Sequence, residues 1–132
     1  MNDCSCVYVD GYDSPELYNS KIRKAKKRHR CCECGRVIKI EEKYEVVEAK
    51  YSDVFETFKT CEDCLTVRAS FFCSGAVHCC MWEDLREHLQ AIDGEISSDC
   101  LIPLTKRARD RVCDMIEKVW ERVTLWQLRE ER

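Results

Sequence analysis

Residues 31–64 read CCECGRVIKIEEKYEVVEAKYSDVFETFKTCEDC, a stretch opened and closed by a Cys-x-x-Cys pair. Between the pairs, Lys43 to Lys50 and Val54 to Thr60 are rich in Tyr, Val, Phe and Thr, with Tyr51-Ser52-Asp53 separating them, which predicts a β-hairpin. The second strand alternates Phe55, Thr57 and Lys59 with Glu56, Phe58 and Thr60, so both its faces are mixed and the hairpin should be half buried. Gly35 directly after the first pair can supply the positive φ that a tight cysteine turn needs. Glu62 and Asp63 carry the negative charge favoured at the positive end of a helix, here expected to run to about Ser74-Gly75. Cys61 and Cys64 then fall in its first turn. Four thiolates brought together in this way suit one tetrahedral ion, and Cys31, Cys34, Cys61 and Cys64 are the expected ligands of a structural Zn2+. A redox Cys-x-x-Cys would want a βαβ setting, which the sequence does not provide.

Working outward toward the C-terminus, Trp82, Leu85, Leu89 and Ile92 share one helical face, predicting a helix from about Met81 to Ile92 ended by Asp93-Gly94. Thr105 can cap a third and longest helix, whose apolar positions Val112, Ile116, Val119, Val123 and Trp126 recur at spacings of four and three. That stripe needs a partner surface: the domain itself for its first half, and self-association or another protein for its last turns.

Toward the N-terminus the charge changes abruptly. Residues 1 to 20 contain Asp3, Asp10, Asp13 and Glu16 and no Lys or Arg; Ser14-Pro15 can begin one helical turn there. Residues 21 to 30 contain seven Lys or Arg and no acid. This reads as an acidic and then a basic arm. At 132 residues the chain is long enough for one domain with a modest core, divided into the arm (1–30), the cysteine clef (31–75) and a helical part (76–132). Its formal charge of -3 argues against a general nucleic-acid coat, leaving Lys24, Lys26, Lys27 and Arg28 as the candidate polyanion contacts. The start of the chain lacks a basic end followed by an apolar stretch, and no apolar run approaches a membrane span, so a cytoplasmic protein with no membrane contact is expected. Reduced thiols there make zinc the first reading of 12 cysteines and disulfides the second.

Knuckle, hairpin and helix in this order resemble a treble-clef zinc finger over residues 31 to about 73. The expected fold class is therefore α+β: a zinc-bound treble-clef-like knuckle, β-hairpin and helix, followed by two further helices. The stretches His29-Arg30-Cys31-Cys32-Glu33-Cys34-Gly35-Arg36 and Val112-Cys113-Asp114-Met115-Ile116-Glu117 resemble a family of small proteins encoded by tailed phages and prophages, which implies an origin rather than an activity.

Eight cysteines remain. Adjacent side chains such as those of Cys31 and Cys32 diverge, so Cys4, Cys6, Cys32 and Cys73 are candidate ligands of a second zinc, with His78, Cys79 and Cys80 as the rival cluster and small buried thiols as the competing reading. Cys100 and Cys113 read as packing residues, and His88 and His29 as ordinary polar positions.

The motifs speak against catalysis. A zinc deaminase would show His-x-Glu and Pro-Cys-x-x-Cys, yet Thr60 precedes Cys61 and no His-x-Glu occurs. Zinc hydrolysis needs an open coordination position, which four thiolates close. The expected role is a non-catalytic accessory protein that grips a host protein or nucleoprotein complex, as an inhibitor of an antiviral defence system would. The alternative is a nucleic-acid-binding zinc finger regulator using residues 21–30, against which stands the plainer reading of that arm as a flexible solvated segment.

Overall fold

The computed structural model describes Val7, residues 16–72 and residues 80–130, with the side chains of 126–130 outside that description. The fold is α+β. Strand β1 is Leu17–Lys24, β2 is His29–Arg30, β3 is Val37–Ile38, β4 is Lys43–Tyr51 and β5 is Val54–Cys61; helix α1 is Glu62–Phe71, α2 is Met81–Ala91 and α3 is Lys106–Glu130. A three-stranded antiparallel sheet has the order β1-β4-β5, and β2 and β3 form a separate two-stranded ribbon around the cysteine turn.

The hairpin β4–β5 matches the sequence expectation, with Tyr51 opposite Val54 across a two-residue turn. Ser52 takes φ 54 there, because a positive φ at the first turn residue matches the right-handed twist of the strands. The basic stretch differs from its expectation. Instead of an arm, residues 17–24 form an edge strand in register with β4 from Leu17 opposite Lys50 to Lys24 opposite Lys43. Ala25 prolongs the pairing, its N–H donating to Glu42 O and its C=O accepting from Glu41 N, both at 2.8 Å. Lysines on an exposed edge discourage a further strand from pairing there, so a basic edge strand is stable where a basic helix would repel itself.

On one face of the sheet Val47, Ala49 and Thr60 are buried, and Glu45 there accepts a 2.7 Å charge-assisted bond from Arg68 of α1. The core continues from Val67 and Phe71 of α1 to Leu85 and Leu89 of α2 and Val112 and Ile116 of α3. Thr105 caps α3, accepting from Ala108 N at 3.3 Å, while its own hydroxyl donates to Asp63 Oδ1 at 2.6 Å and so ties α3 to the start of α1. The α3 stripe buries Val112, Ile116 and Val119; Val123 is half-buried, and the side chain of Trp126 lies outside the described part. Among the described residues, no helix is long and apolar enough to cross a membrane.

Candidate metal centre

The two cysteine pairs reach one point from two elements. In the knuckle, Cys31 N donates to Arg36 O and Gly35 N to Cys31 O, and Gly35 closes the turn at φ 75. Cys61 is the last residue of β5 and the N-cap of α1, which leaves Cys64 one turn further on and aimed the same way. The four Sγ atoms lie within 4.8 Å of one another. Cys31 and Cys64 are 3.8 Å apart, and Cys34 and Cys61 are 3.7 Å apart. Sulfurs at the zinc–thiolate distance of about 2.3 Å around a tetrahedral ion are separated by about 3.8 Å, so the cage has the dimensions of a metal site.

Polar groups around the cage support negative sulfur. Cys61 N–H points at Cys31 Sγ at 3.4 Å and the Trp82 indole N–H at Cys64 Sγ at 3.3 Å. The positive end of α1 begins at the cage. Arg36 lies alongside, paired with Glu42 and Asp63 at 3.1 Å each, although its Nε faces Asp63 without an aligned hydrogen bond. Arg107 is 3.7 Å from the same carboxylate, and Arg111 lies over the Trp82 ring at 3.9 Å. Four thiolates around a divalent ion leave about two negative charges in excess, which these arginines offset.

In the metal-free chain the thiols divide their protons unequally. Hydrogen bonds from Cys34, Cys61 and Cys64 hold Cys31 far below the usual thiol range. Cys34 settles at about 6, pushed up by Cys31 and pulled further down by Cys61 and Cys64. Cys61 and Cys64 are driven up by Cys31 first and Cys34 next, and Cys64 by Cys61 as well. Burial raises the Glu33 carboxyl to about 7, opposed by the Met81 N–H that its Oε2 accepts at 3.0 Å.

The expected second site is only partly within reach. Cys32 is exposed on the far side of the turn, with its Sγ 3.6 Å from Thr60 Oγ1, and does not join the cage. Cys4, Cys6, Cys73, His78 and Cys79 lie outside the described residues, as does the helical turn expected at Ser14-Pro15. Cys100, read as a packing residue, is buried in the core and also disulfide-bonded. Lys24, at the end of β1, and Lys26, Lys27 and Arg28, in the turn after it, are all exposed. The contacts of Trp82 and of Asp63 with the cage region were missed by sequence reasoning, because the first crosses from α2 and the second joins three segments far apart in the chain.

No protein-family model, curated protein or solved structure matches this chain.

Proposed function

We propose that the protein is a non-catalytic zinc-binding accessory protein of the tailed-phage type, in which the ion holds the fold and the surface does the work. The cage of four cysteines carries this reading. A thiolate set of this size and composition selects zinc among common divalent ions and fills its coordination shell, leaving no position for water or substrate. The partner in this reading is a host protein or nucleoprotein complex, consistent with inhibition of an antiviral defence system. The far end of α3 supports protein docking: Trp120 and Leu125 are 52% and 61% exposed and flank a shallow hollow with Thr124. Elemental analysis of purified protein is the direct test, with one zinc or more per chain expected. Absence of zinc together with unfolding unaffected by a chelator would remove the reading.

A second reading, nucleic-acid binding, gains from one observation. Of the basic run, Lys21, Arg23 and Lys24 belong to β1, and strand alternation puts Lys50 of β4 and Lys59 of β5 on the same sheet face as Lys21 and Arg23.

A further inference from the structure

Strand alternation sorts the side chains of the three-stranded sheet onto two faces. Arg23, Tyr44 and Cys61 form one cross-strand row; Lys21, Val46 and Lys59 the next; then Asn19, Glu48 and Thr57; and last Leu17, Lys50 and Phe55. All four rows lie on the face turned away from α1. At the cysteine end Tyr44 and Val46 are buried, and the His29 and Tyr44 rings are 5.0 Å apart. Beyond it, Lys21, Arg23 and Phe55 are exposed and Lys50 and Lys59 half-exposed. Glu48 is the only carboxylate in these rows, against four cations, in a chain whose formal charge is -3.

Among the described ion pairs none engages Lys21, Arg23 or Lys59, while Lys50 stands 3.9 Å from Glu16. Lys59 Nζ lies 3.1 Å from His29 Nδ1, which holds it beside the knuckle. Phe55 is 72% exposed, with Lys50 Nζ 5.6 Å from its ring centroid. A large apolar ring so open, set among cations, is costly to leave in water and suits a ligand that offers both a flat face and negative charge.

We propose that this outer sheet face binds single-stranded nucleic acid, with Lys21, Arg23 and Lys59 meeting phosphates and Phe55 stacking against a base. Three strands about 4.8 Å apart make a platform about 10 Å across, on which one strand can lie flat. Arg68 of α1 bonds Glu45 on the opposite face, which places α1 off this one. A ring on an open sheet is useful only to a base freed from its own stack. Lys26, Lys27 and Arg28, exposed in the turn after β1, add positive charge next to its end. The inference rests on the second reading above, and adds to it the face, the strandedness and the residues.

The test is fluorescence anisotropy of the full zinc-loaded chain with labelled oligothymidylate, oligouridylate, a short mixed-sequence duplex and a polyglutamate peptide, over a range of salt. The triple variant Lys21→Gln, Arg23→Gln, Lys59→Gln is compared with Phe55→Ala and with a control, Lys106→Gln with Lys118→Gln on α3, zinc content being measured in each. Single strands should bind more tightly than the duplex, and the triple variant should lower the slope of log affinity against log salt by about 2, at about 0.7 per phosphate contact. Phe55→Ala should weaken single-strand binding about fivefold or more and leave polyglutamate binding as it was. The control should match the parent. Failure of every nucleic acid to bind overturns both this proposal and the second reading. Binding that survives the triple variant overturns the assigned face while leaving that reading in place. Equal affinity for polyglutamate, with Phe55→Ala silent, overturns the proposal in favour of an unselective polyanion surface.

Discussion

The indole N–H of Trp82 points at Cys64 Sγ from 3.3 Å, so a residue of α2 supports a ligand carried by α1. A donor to a metal-bound thiolate spreads its charge and fixes its direction. Removal of such outer partners commonly lowers metal affinity by about 10- to 100-fold. Trp82→Phe keeps the ring in the core and beneath Arg111 but removes the donor. It is expected to lower zinc affinity about tenfold, measured against a competing chromophoric chelator, while the helical circular dichroism is unchanged. Equal affinities would mean that the contact is packing alone.

Loss of a ligand should be far more damaging. Structural zinc contributes about 10 to 16 kcal/mol in finger peptides, against a net stability of about 5 to 15 kcal/mol for a domain. Cys64→Ser, at a fully buried position between α1 and α2, is therefore expected to abolish cooperative unfolding at ambient temperature, and a strong chelator should do the same to the parent protein. Retention of a sharp melt by either would show that the core holds without the ion.

The unequal thiols give metal binding a defined pH dependence. Contacts among the four sulfurs hold Cys31 and Cys34 down and push Cys61 and Cys64 up, so an incoming ion must displace protons from the raised thiols. The sign is that affinity rises with pH. Stability supplied by the ion is thus lost as pH falls. Competition titrations between pH 6.5 and 7.5 measure the slope directly, and a slope near zero would contradict the proton assignment.

What the sequence revealed follows the range of the interactions. The cage was legible because its ligands declare themselves in two short motifs, and the hairpin because Tyr51-Ser52-Asp53 interrupts two β-rich runs. Helices α2 and α3 were legible through Trp82, Leu85 and Leu89 and through Val112, Ile116 and Val119, whose spacing on one face survives as burial in the structure. Strand β1 was not. Its residues are exposed throughout, so no apolar alternation marks it, and Lys21, Arg23 and Lys24 present the composition of an arm. Only pairing with β4 reveals the strand. The roles of Lys50 and Lys59 depend on that pairing, and the disulfide of Cys100 on a contact that spacing cannot specify.

Gly94 is fixed by a close approach as well as by its backbone. It takes φ 71 at the end of α2, and a Cβ there would come within 2.9 Å of Trp120 Nε1 and 3.3 Å of Ile116 Cγ2. The indole is not free to withdraw, since its N–H donates to Asp93 O at 3.1 Å. Gly94→Ala is expected to destabilise the domain by about 2 to 4 kcal/mol, the sum of a left-handed backbone penalty and an overpacked contact. Ser52, at φ 54 in an exposed turn, offers the contrast: Ser52→Gly relieves the same backbone penalty with no packing lost and should raise the melting temperature slightly. Thermal melts of the zinc-loaded variants decide both.

The last turns of α3 bear on the proposed docking role. Trp120 divides its ring between Gly94 and solvent, so replacing it would disturb folding and binding together. Leu125 is the cleaner probe, being 61% exposed and one turn beyond the buried part of the stripe. Leu125→Glu sits in a helix that tolerates Glu well, with a surface change expected to stay within about 0.5 kcal/mol. If the end of α3 is a docking surface, the same change introduces a charge where an apolar contact forms, and bound partner or self-associated species should be lost at unchanged melting temperature. Sedimentation of the purified protein reads self-association, and affinity capture with the parent and variant side by side reads a partner. Solution mass and captured proteins that are both identical in the two would take the docking role away from this end of the helix.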